Sequence, residues 1–168
     1  MTQPQQKPSR SSDDTIQRAL LRAYVNQNYE KYQSLWDKAA SRPTKPSWNW
    51  AAFFLSLGWL AYRKMYALSA LWIGLLLLEL IASIVFGYSE RYSNAFGLGL
   101  AFAAGQVGNM LYERHANKQV DQVKLALPPS HWISALRIQG GASWAAGIAA
   151  WVIYLLLWLL VALVAEKL

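Results

Sequence analysis

The chain has 168 residues, of which 55 % are hydrophobic and 14 % aromatic, well above the usual mixture of a soluble domain. This length allows one domain or one small helical bundle, and the absence of cysteine excludes disulfides and thiolate metal sites. The net charge of +7 is carried beside apolar segments, which favours anionic lipid headgroups over nucleic acid as the partner.

The N-terminal part of the chain is polar and predicts helices behind a disordered tail. Residues 1–12 contain no apolar run, so they are expected to be disordered and are no secretory signal. In residues 13–46, apolar side chains recur every three to four positions, which predicts cytoplasmic amphipathic helices with a break near residues 26–28. Pro43 and Pro46 end the pattern. These helices would lie on the membrane, dock a partner, or pack on their own bundle.

Residues 47–66 mark the change from polar to apolar sequence and predict an interfacial or re-entrant aromatic helix. Its apolar part, residues 50–61, is 12 residues long, which suits an interfacial or re-entrant helix better than a crossing. Aromatic rings and long cationic side chains favour the headgroup level of a membrane. The expected membrane-interface residues are Trp48, Trp50, Trp59, Tyr62, Arg63, Lys64 and Tyr66.

The same stretch resembles a known family. The matching residues are Trp48-Asn49-Trp50-Ala51-Ala52-Phe53-Phe54, Trp59 and Tyr62-Arg63-Lys64-Met65-Tyr66, with Gly108-Asn109-Met110-Leu111-Tyr112, His115 and Gly140-Gly141-Ala142-Ser143 as later pieces. They are similar to the signature of domain of unknown function 2628, and the likeness covers roughly residues 20–165. Where that pattern usually has Gly-Pro, this chain has Ser56-Leu57, so the sequence carries no signal for the kink that the pair implies. The resemblance implies a bacterial inner-membrane protein with no known activity.

Three later segments are predicted to cross the membrane, at residues 67–88, 95–112 and 144–165. If residues 47–66 stay on one face, that side holds 14 of the 16 lysines and arginines, against Arg91 and Lys167 on the other. A fourth crossing would change this division to 10 and 6. Positive charge holds loops in the cytoplasm, which favours three spans and a cytoplasmic N-terminus. The expected fold is therefore an all-α, multi-pass membrane bundle.

Residues 113–143 are predicted to form a cytoplasmic loop with short helices. The first part extends the second span as a polar-faced helix, and Pro128-Pro129 ends it. Ser130 can cap a further short helix, and Gly140-Gly141 frees the backbone before the last span.

The sharpest candidate for chemistry is Glu79, near the middle of the first predicted span. An acidic side chain there is costly unless it faces the bundle and finds a partner, and depth favours Gln106 and Tyr154. This intramembrane polar cluster of Glu79, Gln106 and Tyr154 would be a proton or ion site, or a neutral carboxyl that ties three helices together. A single acid without a second ionisable group at membrane depth favours the second interpretation.

Small residues at helical spacing predict close helix packing within spans two and three, or self-association. They are Gly97, Ala101, Gly105, Gly108, Ala146 and Ala150. The two histidines, His115 and His131, lack the spacing of a metal site, and no phosphate-binding loop, nucleophile elbow or carboxylate pair is present. We therefore expect no cofactor, no metal and no enzymatic activity.

The sequence predicts a small inner-membrane component that binds anionic lipid or a partner protein through a cationic cytoplasmic face. The alternative is a small channel or transporter subunit with an intramembrane site at Glu79.

Overall fold

The computed structural model describes residues 10–41 and 47–165, and side chains from residue 12 onward. Within these ranges every regular element is helical. The elements are α1 (Arg10–Val25), α2 (Tyr29–Ser41), α3 (Trp50–Leu55), α4 (Leu57–Tyr62), α5 (Tyr66–Phe86), α6 (Glu90–Ala126), a 3-10 turn (Pro129–His131), α7 (Trp132–Gln139) and α8 (Trp144–Ala165). Most of the expected tail, together with Arg42, Pro43, Lys45, Pro46 and Lys167, lies outside the described residues.

The chain divides into two compact units. The first unit comprises Met1–Tyr29 and Ala116–Gly141, so it contains α1, the last part of α6, and α7. Its core is apolar and includes Leu20, Val25, Val120 and Leu136, all at most 2 % exposed. At its edge, Gln17 Nε2 donates to Asn117 Oδ1 over 2.9 Å, and the Lys124 ammonium donates to Gln17 Oε1.

The second unit comprises Glu30–His115 and Ala142–Leu168, and its centre is the short helix α4. Every residue from position 57 to position 61 is buried. Helices α3, α5 and α8 pack against α4. The α4 part of the stretch that the sequence assigns to the membrane interface therefore lies in the core of this unit, whereas Trp50, Phe54 and Leu55 of α3 are exposed.

Two helices, α5 and α8, are long and apolar enough to cross a membrane. They correspond to the predicted spans 67–88 and 144–165. The predicted span 95–112 lies within α6, a helix of 37 residues and about 55 Å, and the predicted extension of this segment into the following loop is confirmed. Polar residues after position 112 do not interrupt a helix when their backbone hydrogen bonds continue.

The break between α3 and α4 corrects an expectation from the sequence. Ser56 has φ 40° and ψ −112°, and its backbone N–H donates to Ala52 O over 2.8 Å, which ends α3. The kink is thus present although the Gly-Pro pair is not. A serine adopts this conformation because the fully buried Ala52, whose carbonyl accepts from Ser56, and the fully buried Leu57 hold the backbone in place.

Replacing Ser56 by glycine is expected to raise the free energy of unfolding by about 1 kcal/mol, because glycine adopts a positive φ without steric cost. The measurement is an unfolding titration in mixed micelles followed by tryptophan fluorescence. The matched control is Ser34→Gly, at an exposed position inside α2, which should lower stability by about 0.5–1 kcal/mol. Equal losses in both variants would show that Ser56 is unstrained.

Candidate functional site

Two sequence-distant pieces of the second unit are joined by buried asparagines. Asn49 Nδ2 donates to Asn109 Oδ1 over 2.8 Å, while Asn49 Oδ1 accepts from Ala52 N over 2.9 Å and so caps α3. Asn109 Nδ2 donates to Ser47 Oγ over 2.9 Å and to Ser47 O over 3.1 Å. In addition, Trp36 Nε1 donates to the Asn109 carbonyl over 3.1 Å. This network fixes the start of α3 against α6 and α2.

The small residues of α6 allow the aromatic stretch to approach its backbone. A Cβ at Gly105 would lie 2.8 Å from the Trp48 ring, and one at Gly108 would lie 2.9 Å from Ala52 Cβ. Asn49 N also donates to Gly105 O over 2.8 Å. Gly97 has no neighbour within 4 Å of such a Cβ, and Ala101 is half-buried.

The small residues of α8 face the same aromatic stretch. A Cβ at Gly147 would lie 3.0 Å from Gly58 O, and Ala150 is 6 % exposed whereas Ala146 is half-buried. The sequence predicts that the small residues of the second and third spans pack against each other. In the structure, α3 packs against those of α6 and α4 packs against those of α8. The aromatic stretch occupies this place because its own small residues, Ala52 and Gly58, match the small residues of α6 and α8.

The aromatic stretch contacts the first turn of α5 and, through Gly58, reaches Gly147 and Trp151 in the first half of α8. Ser69 Oγ donates to Leu57 O over 3.2 Å, and Ser143 N donates to Tyr62 O over 2.9 Å. The Tyr62 ring also lies 4.8 Å from the Trp144 ring. Helices α5 and α8 therefore begin at the same level of the second unit, beside the end of α4.

At this level the guanidinium of Arg63 lies among aromatic rings. Its Cζ is 4.7 Å from the centroid of Tyr32, 5.0 Å from that of Tyr112 and 5.3 Å from that of Tyr62. Arg63 Nη2 donates to the Tyr32 hydroxyl over 3.0 Å. Each cation–ring contact contributes about 0.5–2 kcal/mol. We call Arg63 with these three tyrosines the arginine cage.

Two of the seven expected interface residues are buried in this unit. Trp59 is 2 % and Arg63 3 % exposed, whereas Trp50 and Tyr66 are 64 % and 56 % exposed. Trp48, Tyr62 and Lys64 are half-buried. Sequence position alone did not separate the buried from the exposed rings, because α3 and α4 are too short for a periodic pattern to show which face is covered.

Glu79 has a hydrogen-bond partner that the sequence pattern does not indicate. The Tyr88 hydroxyl, just beyond the end of α5, donates to the Glu79 carbonyl over 3.1 Å and to its carboxyl over 3.3 Å. Gln106 and Tyr154 are both half-buried, and their hydrogen bonding to Glu79 stays a prediction. A tyrosine nine residues later on the chain gives no periodic signal, because Gly87 turns the backbone with φ 62°.

The Glu113 carboxyl lies near the Asp37 carboxyl in the second unit. Burial raises the pKa of its carboxyl, nearby Arg114 lowers it, and nearby Asp37 raises it further, so that the net direction is upward. The folded protein therefore holds this proton more tightly than the unfolded chain does. Ionised Glu113 opposes folding above the folded pKa, and this opposition disappears as the pH falls below it.

Glu113→Gln is expected to stabilise the protein slightly at pH 7 and to remove this part of the pH dependence. The measurement compares the unfolding of both proteins at pH 7 and near pH 4.5, the usual pKa of a glutamate. A variant that is less stable than wild type at pH 7 would contradict the upward direction.

Within residues 10–41 and 47–165, no three His, Asp or Glu side chains are grouped so that they could hold a metal ion.

The described part of the chain is all-helical and has two helices that could span a membrane. The model of a protein family described as "Protein of unknown function (DUF2628)" matches residues 17–118, so the chain belongs to this family. No curated protein and no solved structure matches the chain.

Proposed function

We propose that this is a non-enzymatic integral membrane protein with three spans, whose cationic segments bind anionic lipid on the side that carries the N-terminus. In a bacterium this would be the cytoplasmic side of the inner membrane. The observation that carries the proposal is the exposed apolar surface of α5 and α8. Only 6 % of the most apolar window of each helix is buried.

This exposure argues for a lipid environment. The core helix of a soluble protein is apolar but covered, whereas α5 and α8 present large side chains along their whole length. Examples are Leu71, Leu78, Ile81, Val85 and Phe86 on α5, and Ile148, Val152, Leu155, Leu156, Leu160 and Leu163 on α8. Transfer of such an apolar surface from water into the hydrocarbon core of a membrane is favourable.

The geometry of the second unit supports a third crossing by α6. Helices α5 and α8 begin at one level, so the chain must return from the far end of α5 before α8 begins. The Tyr88 and Tyr92 rings meet at that far end, 6.2 Å apart, and α6 then reaches the arginine cage with Tyr112. The first part of α6 therefore covers the same depth as α5. Its composition is less apolar because the aromatic stretch covers part of it.

The distribution of charge supports lipid binding on one side. With three spans, 14 of the 16 lysines and arginines lie on the side where α5 and α8 begin. Clusters of cations next to a membrane are attracted to anionic headgroups by about 1 kcal/mol per residue. A protein partner of acidic character would recognise the same charges, and a second copy of the chain is the other possible partner.

The number of spans is tested with single cysteines at Ser47, Ser93 and Ser130, because the chain has none of its own. An impermeant thiol reagent on intact cells should label position 93 and neither of the other two. Labelling after lysis is the control for reactivity. Labelling of position 130 without position 93 would mean four crossings and would overturn the proposed topology.

Lipid binding is tested with the full chain in nanodiscs of phosphatidylcholine with and without phosphatidylglycerol. Native mass spectrometry should show several retained phosphatidylglycerol molecules at low salt and fewer at high salt, because exposed charges are screened. Equal retention of both lipids at low salt would remove the proposal that the cations bind anionic lipid.

The channel or transporter alternative would centre on Glu79. Its hydrogen bonds to Tyr88 connect the middle of α5 to the residues just after its end, which favours a structural role. We therefore expect Glu79→Gln to leave any ion flux of the reconstituted protein at the wild-type level. Loss of a measurable flux in a folded variant would favour the alternative.

A further inference from the structure

Arg63 is a buried cation whose hydrogen bonding is incomplete. Its side chain is 3 % exposed, and within residues 10–41 and 47–165 only its Nη2 donates a hydrogen bond, to Tyr32. Arg63 Nε and Nη1 are covered and have no acceptor among residues 10–41 and 47–165. In the same part of the chain, no carboxylate forms an ion pair with this guanidinium.

The three rings of the arginine cage attract the positive charge but do not complete its hydrogen bonding. A guanidinium has five N–H donors in a planar fork, and this fork matches two oxygens of a phosphate or a carboxylate. Nε shares one edge of that fork with Nη2, and Nη1 shares the other edge with Nη2. A buried charge without an opposite charge is unfavourable, so an oxyanion that accepts from these unpaired groups would stabilise the folded protein.

The rings differ in how firmly they are held. Tyr112 is fully buried and Tyr32 is 6 % exposed, whereas Tyr62 is half-buried and packs on Trp144 at the start of α8. Tyr62 is therefore the wall of the cage that reaches the surface of the second unit. A rotation of one half-exposed ring is a fast motion, and it would open the guanidinium to a ligand.

The position of the cage indicates the source of the oxyanion. Arg63 lies three residues before α5 begins, and the neighbouring Tyr62 carbonyl accepts from Ser143 just before α8. If α5 and α8 cross the membrane, this is the level of the headgroup phosphates. A lipid phosphate can reach this level from the side, between residues that already face the bilayer.

We propose that the Arg63 guanidinium binds a phosphate oxyanion, supplied by an anionic lipid headgroup, through its unpaired N–H groups at the level where α5 and α8 begin. This inference rests on the proposed function and adds a single buried site to its exposed cationic surface. Lipid binding at Arg63 and lipid binding at the exposed cations differ in salt dependence, because a buried ion pair is screened much less than exposed charges.

The test uses native mass spectrometry of the full chain from phosphatidylglycerol nanodiscs at high salt. Wild type should retain one phosphatidylglycerol molecule, and Arg63→Lys should lower its affinity about tenfold, because lysine keeps the charge but loses the planar fork. The matched control is Arg114→Lys, the same change at an exposed arginine of the second unit, with an effect below about twofold. Equal losses in both variants, or no loss in Arg63→Lys, would overturn the site.

Added millimolar inorganic phosphate separates the two sources of the oxyanion. No displacement of the retained lipid supports the headgroup, whereas displacement overturns the lipid assignment in favour of soluble phosphate. A wild-type measurement avoids any folding defect of the variants: the Arg63 Nε–H resonance of arginine-labelled protein should shift in phosphatidylglycerol nanodiscs relative to phosphatidylcholine ones. Insertion into both nanodiscs without such a shift would overturn the site and leave the proposed three-span protein standing.

Discussion

Replacing Asn109 by alanine is expected to lower the free energy of unfolding by about 3–5 kcal/mol, because the change leaves one buried and two half-buried polar groups without their partners. Asn49 Nδ2 loses its acceptor, and the carbonyl and hydroxyl of Ser47 lose their donor. Asn109 is 3 % exposed, so water does not easily replace the lost bonds. The measurement is an unfolding titration in mixed micelles.

Asn109→Asp separates the hydrogen-bond requirement from side-chain volume. The aspartate keeps the shape and can accept from Asn49, but an ionised carboxylate cannot donate to the Ser47 carbonyl. We expect a large loss of stability at neutral pH that becomes smaller in acid. Asn94→Ala, at an exposed position of α6, is the control and should change stability by less than about 0.5 kcal/mol. A similar small effect for Asn109→Ala would show that the network does not hold α3 in place.

Replacing Gly140 by alanine is expected to destabilise the first unit by more than about 3 kcal/mol, because the new methyl group would overlap a backbone. A Cβ at this position would lie 2.7 Å from both the Cα and the carbonyl carbon of Tyr24. The adjacent Gly141 N donates to Tyr24 O over 2.7 Å, so the two segments cannot separate without losing this bond. Hydrogen exchange should show α1 and α7 losing protection together.

The neighbouring glycine provides a matched control. Gly141 has φ 78°, but a Cβ there would meet only the Asn26 amide at 4.0 Å. Gly141→Ala should therefore cost only about 1–2 kcal/mol, from backbone conformation alone. Equal effects at both positions would show that conformational freedom, and not the approach to Tyr24, explains the pair of glycines.

The aromatic stretch shows where prediction from sequence ends. The sequence predicted one interfacial or re-entrant helix here, whereas the structure divides the stretch into α3 and α4. The burial of Trp59 and Arg63 could not be predicted, because their partners are distant along the chain. Tyr32 and Tyr112 lie 31 and 49 positions from Arg63, and Tyr112 lies 53 positions from Trp59. The residues Asn49 and Asn109 both stand in the stretches that resemble the family, but nothing in a single sequence pairs two asparagines that are 60 residues apart.

The surroundings of the Arg63 guanidinium also depend on tertiary structure. A cation beside aromatic residues at the edge of an apolar segment predicts an interface side chain, since its long stem can carry the charge to the headgroups. The structure instead covers the guanidinium with the ring of Tyr112 from α6 and that of Tyr32 from α2. The burial of this guanidinium requires α2, α4 and α6 to pack together, because each of them contributes a different part of the arginine cage.

By itself, the sequence determined the all-helical class, the family, and two helices long and apolar enough to span a membrane. These properties depend on composition and local periodicity, which act over a few turns of one helix. The tertiary structure decided the burial of Arg63, the pairing of Asn49 with Asn109, and the contacts of the aromatic stretch with α6 and α8. Each of these depends on which distant residues lie opposite each other, and close packing of small and aromatic side chains selects that arrangement only when the helices are assembled.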